Sequence, residues 1–220
     1  MGNAIVLASG GLDSYVTAHY VKKKLGKEVK LLFFDYGQKA LVEELRSVEH
    51  LKRELDCELE VVSLPWLGKI STSFINKEGS GGESLNDWYV PCRNSVFLIS
   101  ALAFADSQFI KTGEESEIYL GIKYEGELRF KDTTPEFIEK MNELSKTATE
   151  KGFKIIAPFI DKDKEDIIEI GEELGIDLSK SYSCYLGSKN GEHCGKCAGC
   201  LARKKGFKFS KVKDETEYLE

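Results

Sequence analysis

Two stretches of this 220-residue sequence combine residue types and spacings that can do chemistry. The first is Ser9-Gly10-Gly11-Leu12-Asp13-Ser14, directly after the aliphatic run at 4–8 and directly before a helical pattern. Glycines placed between a buried strand and a helix start let successive backbone N–H groups point into one concavity. The helix N-terminus adds partial positive charge, so a phosphate is held without a basic side chain. The Ser9 and Ser14 hydroxyls can donate to phosphate oxygens. Asp13 would repel phosphate if it turned inward, so it either caps the helix or holds a Mg²⁺ that bridges phosphates. The loop has neither the spacing and lysine of a Walker A motif nor the third glycine of a dinucleotide fingerprint. A plain Gly-Gly turn is the bland alternative.

The second stretch is Cys184, Cys194, Cys197 and Cys200, spaced C-x9-C-x2-C-x2-C with Gly195 and Gly199 among them. Four thiolates on a glycine-loosened chain can close a tetrahedron around Zn²⁺, and a site filled by four protein ligands is structural rather than catalytic. An iron–sulfur cluster is the rival, although the fourth cysteine lies upstream and no Cys-Pro follows. His193, beside a ligand, reads as solvated. Cys57 and Cys92 read as small buried or half-buried thiols.

The elements that position these groups follow from local pattern. Apolar runs at 4–8, 30–35, 59–64, 118–121 and 154–158 alternate with helical stretches, which predicts β-α units in a mostly parallel sheet covered on both faces. Leu41, Leu45, Val48 and Leu55 mark the inward stripe of one helix. Residues 94–109 have no polar face and predict a central, buried helix. A third helix is expected over 162–174, with Ile167, Ile168, Ile170 and Leu174 inward and Gly175 at its stop. The Gly/Ser-rich stretch 76–87 reads as a loop or lid. From Ser181 the alternation ends, so residues 1–180 read as an α/β domain carrying the phosphate-holding loop and 181–220 as a small cysteine-bearing appendage.

Composition sets the limits. With 41% hydrophobic and 31% charged residues the chain supports one sizeable core. A net charge of −6 argues against bulk nucleic-acid coating. No apolar run is long enough to span a membrane, and six cysteines, four of them clustered in this way, suit a reducing, cytoplasmic setting.

The loop S-G-G-x-D-S after an N-terminal strand resembles that of the PP-loop ATP pyrophosphatases, which activate a carboxyl or carbonyl oxygen by adenylation. Together with the cysteine spacing it resembles one family among them, the 7-cyano-7-deazaguanine synthases (QueC). Residues 34–43, "FDYGQKALVE", are similar to that family's F-D-Y-G-Q-R-H-x-x-E. Residues 90–94, "VPCRN", are similar to V-P-x-R-N, and 157–164, "APFIDKDK", to A-P-x-x-x-x-x-K. Two departures stand out. Ala40 replaces a histidine, and Asp132-Thr133-Thr134-Pro135 replaces an Asp-Cys-Arg-Pro segment.

The resemblance implies an adenine-nucleotide alpha-hydrolase-like, Rossmann-like fold with a C-terminal zinc segment. It also implies a soluble homodimeric ligase that uses ATP with Mg²⁺ to join ammonia to 7-carboxy-7-deazaguanine, giving the amide and then the nitrile. Ala8, Ser9, Gly10, Gly11, Leu12, Asp13, Ser14, Tyr36 and Gln38 would bind ATP. Arg93, Asn94 and Asp132 would bind the substrate, and Asp13, Lys164 and Arg93 would serve catalysis. Each has a plainer reading: Lys164 on a solvated charged run, Asp132 as cap of the helix that follows it, Arg93 in a surface ion pair, Tyr36 and Gln38 in core packing. The departures open a second reading, a paralogue from anti-phage defence systems of the CBASS type that conjugates a deazaguanine to a protein amine. A zinc-ribbon RNA-binding module, suggested by Lys204, Lys205, Lys208, Lys211 and Lys213, is a third.

Overall fold

The computed structural model describes residues 2–77, 85–124, 130–188 and 190–219. Five parallel strands run in the order β3-β2-β1-β4-β5: β1 (Asn3–Leu7), β2 (Glu28–Asp35), β3 (Glu58–Ser63), β4 (Ser116–Leu120) and β5 (Ile155–Ile156). β1 is central, and the connections on its two sides run in opposite directions, so a crevice opens at its C-terminal end. β5 is shorter than the apolar run at 154–158 suggests; Pro158, which has no N–H to donate, lies just beyond it.

Strand side chains alternate between two cores. Ala4, Val6, Leu31 and Phe33 pack on α1 (Leu12–His19), α2 (Leu41–Leu55), α6 (Lys164–Glu173) and α7 (Ala198–Ser210). Ile5, Leu7, Leu32, Phe34, Ile118 and Leu120 pack on α4 (Arg93–Thr112) and α5 (Pro135–Ala148). One short helix, α3 (Pro65–Ile70), follows β3.

The expectation of a buried helix at 94–109 needs correction. α4 covers one sheet face and buries Leu98, Ala101, Leu102 and Ala105, whereas Ile99 is 45% and Ile110 66% exposed. No further layer among the described residues lies beyond α4. The stretch 76–87 falls largely outside the described residues, apart from its two ends.

The cysteine-bearing tail shares the main core. Cys184, Cys197 and Cys200 cluster with the α4 face of the sheet, and Phe207 of α7 packs on the opposite face. Tyr182 N–H donates to the Gly10 carbonyl at 2.7 Å, tying the tail to the glycine loop.

Candidate active site and metal centre

The glycine loop turns between β1 and α1 with Gly10 at φ +75°. A side chain there is excluded twice over, because that backbone region favours glycine and a Cβ would lie 2.6 Å from the Glu44 carbonyl oxygen. The Ser9 and Ser14 hydroxyls are 3.0 Å apart, Ser14 Oγ accepts from Ser9 N–H at 3.1 Å, and Gly11 N–H donates to Ser9 Oγ at 3.3 Å. Gly11 caps α1 without a side-chain bond, which leaves the first amides of the helix facing the crevice. Ser47 of α2 donates to the carbonyls of both Gly10 and Lys180, at 2.9 and 2.8 Å, bracing the loop from below. Gly121, after β4, is needed for close approach: a Cβ there would lie 2.7 Å from Ser14 Cα.

Asp13 does not cap α1. Its carboxylate accepts two hydrogen bonds from Lys164 Nζ, at 2.6 and 2.7 Å. Lys164 is the first residue of α6, where the helix dipole disfavours a cation, and the Asp13 charge offsets that cost. A Cβ on Gly206 of α7 would overlap Lys164 Cγ, so the glycine makes room for the lysine stem. Lys164 is therefore held at the loop rather than on a solvated face.

A cavity of about 290 Å³ opens here, lined by Ala8, Ser9, Gly11, Leu12, Asp13, Ser14 and Lys164 on one side. That lies at the lower end of small-molecule sites, about 300–1,000 Å³. Tyr36, Gln38, Arg93 and Asn94 line it as well. Gly10 and Asp132 do not; Gly10 makes the turn, and Asp132 acts from behind. Asp132 Oδ2 accepts from Asn94 N–H at 3.2 Å, and Asn94 Nδ2 donates to the Asp132 carbonyl at 2.9 Å. Asp132 thus caps α4, whereas α5, the helix after it, is capped by Thr134, whose hydroxyl accepts from Phe137 N–H. Both departures in this segment keep local roles, since Thr133 lines the cavity and donates to the Phe130 carbonyl.

Arg93 Nη1 donates to Tyr36 Oη at 3.4 Å, and burial raises the Tyr36 phenol to about 12, keeping it a neutral partner. Gln38 is fully committed: its oxygen accepts from Tyr36 N–H while its amide donates to the Phe34 carbonyl and to Glu44 Oε2. Phe97 of α4 stacks on Phe34 at 4.1 Å with an interplanar angle of 6°, fixing the start of α4 beside the end of β2.

Sequence reasoning missed Glu44, which lines the cavity, and Arg203. Arg203 is 1% exposed and donates to Ser181 Oγ, Ser183 Oγ, Thr216 Oγ1 and the Leu178 carbonyl. Both fall in register with apolar positions of their helices, Val48, Leu51 and Leu55 for Glu44 and Phe207 for Arg203. A charge on an inward stripe was the available signal.

The four tail cysteines bring their sulfurs within 4.8 Å of one another. Cys194 and Cys200 are 3.8 Å apart, and Cys197 and Cys184 3.9 Å. A tetrahedron with metal–sulfur bonds of about 2.3 Å has edges of about 3.8 Å, so the set fits one metal ion. Backbone N–H groups of Tyr185, Cys194 and Cys197 point at three of the sulfurs, as expected around thiolate ligands. His193 is not solvated. It is 3% exposed, its Nε2 accepts from Ser183 N–H, and burial lowers it to about 4, so it stays neutral. Cys92 is exposed, contrary to expectation, and Cys57 is half-buried.

The parallel sheet, the S-G-G-x-D-S loop at the end of its central strand and the crevice beside it define a PP-loop type α/β protein. The fold is similar to that of a solved 4-thiouridine synthetase–RNA complex with bound ATP, at TM-score 0.51 and 21% identity over 79% of this chain and 41% of that one. Within that class, the family described as "Queuosine biosynthesis protein QueC" matches residues 3–211, and the chain belongs to it as an enzyme of the family. Relatives named 7-cyano-7-deazaguanine synthase include those of Methanobrevibacter smithii (36% identical, covering 99% of this chain and 98% of the relative) and Methanocaldococcus jannaschii (36%, 99% of each). The relative from Coxiella burnetii is 37% identical, covering all of this chain and 99% of its own length.

Proposed function

We propose that this chain is an ATP-dependent carbon–nitrogen ligase that adenylates the carboxylate of 7-carboxy-7-deazaguanine and joins it to ammonia. The product would be the amide and, after a second adenylation on the amide oxygen, 7-cyano-7-deazaguanine. A carboxylate resists attack because it is negatively charged and would have to expel oxide; bonding its oxygen to the α-phosphorus of ATP removes both obstacles. The observation that carries this reading is a single cavity bounded by the loop at 9–14 and Lys164 on one side and by Arg93 and Asn94 on the other, in a chain of the QueC family.

The loop amides and the Ser9 and Ser14 hydroxyls would hold the pyrophosphate side of ATP, which arrives as its Mg²⁺ complex. Lys164, steered by Asp13, would stabilise the charge on departing pyrophosphate. Arg93, held by Tyr36, would orient the acid, while Asn94 and Asp132 set the start of α4. Four thiolates of this spacing suit zinc, whose binding energy would be folding energy for residues 184–200. The exposed Ile99 and Ile110 of α4 suit the covered face of a homodimer. No helix among the described residues is long and apolar enough to cross a membrane, and we place the enzyme in the cytoplasm. No observation favours the conjugating or the RNA-binding reading.

Purified protein supplied with ATP, Mg²⁺, ammonium and 7-carboxy-7-deazaguanine tests the proposal. Mass spectrometry should find the amide and the nitrile together with AMP. AMP without either product, or ADP as the nucleotide product, would refute it.

A further inference from the structure

Glu44 is the one carboxylate of the cavity lining not engaged by a cation at hydrogen-bond distance among the described residues; Asp13, the other, is held by Lys164. It sits on the inward stripe of α2, with its backbone carbonyl against Gly10 of the loop, so its side chain emerges beside the surface that would hold the triphosphate. Gln38 Nε2 donates to Glu44 Oε2 at 3.0 Å and is itself locked by the Phe34 carbonyl and Tyr36 N–H, leaving Glu44 little freedom. Arg93 faces it from α4, Tyr36 from the end of β2, Tyr185 lies beyond that pair, and Glu43 is its neighbour on α2. The carboxylate therefore lies between the phosphate loop and the guanidinium that would hold the acid, where an acyl-adenylate would form.

We propose that Glu44 is the general base of the amination step, receiving the proton that the nitrogen sheds as it attacks the acyl-adenylate. This rests on the adenylating reading above. Uncharged ammonia, hydrogen-bonded to the carboxylate, forms a C–N bond with the acyl carbon. The C–O bond to AMP breaks and its electron pair leaves on the phosphate oxygen. One N–H proton passes to Glu44, giving the neutral amide, AMP and a protonated Glu44 that later returns its proton to water. A carboxyl that titrates near neutrality suits the task. Burial pushes Glu44 up to about 7, against the opposing pull of the Gln38 hydrogen bond and the Arg93 charge, with Glu43 adding to the rise.

The test separates the two half-reactions in E44Q, which keeps the size of the side chain and an acceptor for Gln38. Acid-dependent exchange of labelled pyrophosphate into ATP should stay within about twofold, while amide formation from ammonia falls roughly 100-fold. Hydroxylamine, far less basic and able to lose its proton unaided, should restore near wild-type turnover as the hydroxamate. At constant free ammonia, wild-type amination should rise through about pH 7 and E44Q should lose that limb. E44D, which retains the carboxylate, should keep the limb and serves if E44Q does not fold. Unchanged amination in E44Q, no rescue by hydroxylamine, or loss of exchange itself, which would put Glu44 in nucleotide binding, each overturns the proposal. Absence of exchange in the wild-type protein would instead strike at the adenylating reading.

Discussion

Lys164 Nζ donates to both carboxylate oxygens of Asp13, at 2.6 and 2.7 Å, across 151 residues of chain. The pair joins the first turns of α1 and α6 at the lip of the glycine loop, and both side chains are about one-fifth exposed. A pair so placed contributes little to stability, of order 1 kcal/mol; in the proposed reaction its use would be to aim an ammonium. K164A is expected to lower acid-dependent pyrophosphate exchange roughly 100-fold with a small change in Tm. D13N, which leaves the lysine unsteered, should lose most of that activity as well. Exchange kinetics beside a thermal melt check both variants.

The sulfur geometry predicts one metal ion per chain, bound by Cys184, Cys194, Cys197 and Cys200. C197S, or prolonged chelation, should remove the metal and destabilise the protein by several kcal/mol, because the folding energy of the tail depends on it. Elemental analysis should return zinc at one equivalent. Iron with acid-labile sulfide would contradict it.

The buried Arg203 guanidinium holds Ser181, Ser183, Thr216 and the Leu178 carbonyl together between the cysteine turn and α6. Removing it strands those acceptors, so R203M should cost about 3 kcal/mol in urea denaturation. R203K offers a single point charge in place of the fork and should recover only part of the loss.

His19 is fully buried between α1 and α2, 3.3 Å from Glu54 but not aligned for a hydrogen bond. Burial lowers it to about 4, with Lys23 and His50 pushing the same way and Glu54 opposing. Below its ordinary value of about 6.5 the unfolded chain binds a proton that the folded one refuses, so stability is lost as pH falls from 6.5 toward 4. Chemical denaturation across that window should give a slope steeper in wild type than in H19Q by up to about 1.4 kcal/mol per pH unit.

Much of this architecture is written locally. The five apolar runs, the stripe of α2 and the stop at Gly175 depend on near neighbours, and each strand lies where its run predicts. The loop and cysteine spacings are local too. What could not be read is tertiary. Asp13 looks like a helix cap until α6 brings Lys164 to it. Asp132 and Thr134 compete for the same helix start, and the residue next to Pro135 wins because its hydroxyl reaches Phe137 N–H, which frees Asp132 to cap α4 from outside. His193 reads as exposed until its backbone pairs with the far C-terminal segment at Glu217 and Leu219, placing its ring between Tyr182 and Tyr218.

In the proposed reaction the loop at 9–14 presents ATP so that its α-phosphorus is attacked by the acid's carboxylate. Synthesis with ¹⁸O in the carboxylate of 7-carboxy-7-deazaguanine tests it most directly: the AMP released in the first amination should carry one ¹⁸O atom. Label recovered in inorganic phosphate, or AMP free of label while amide accumulates, would contradict it.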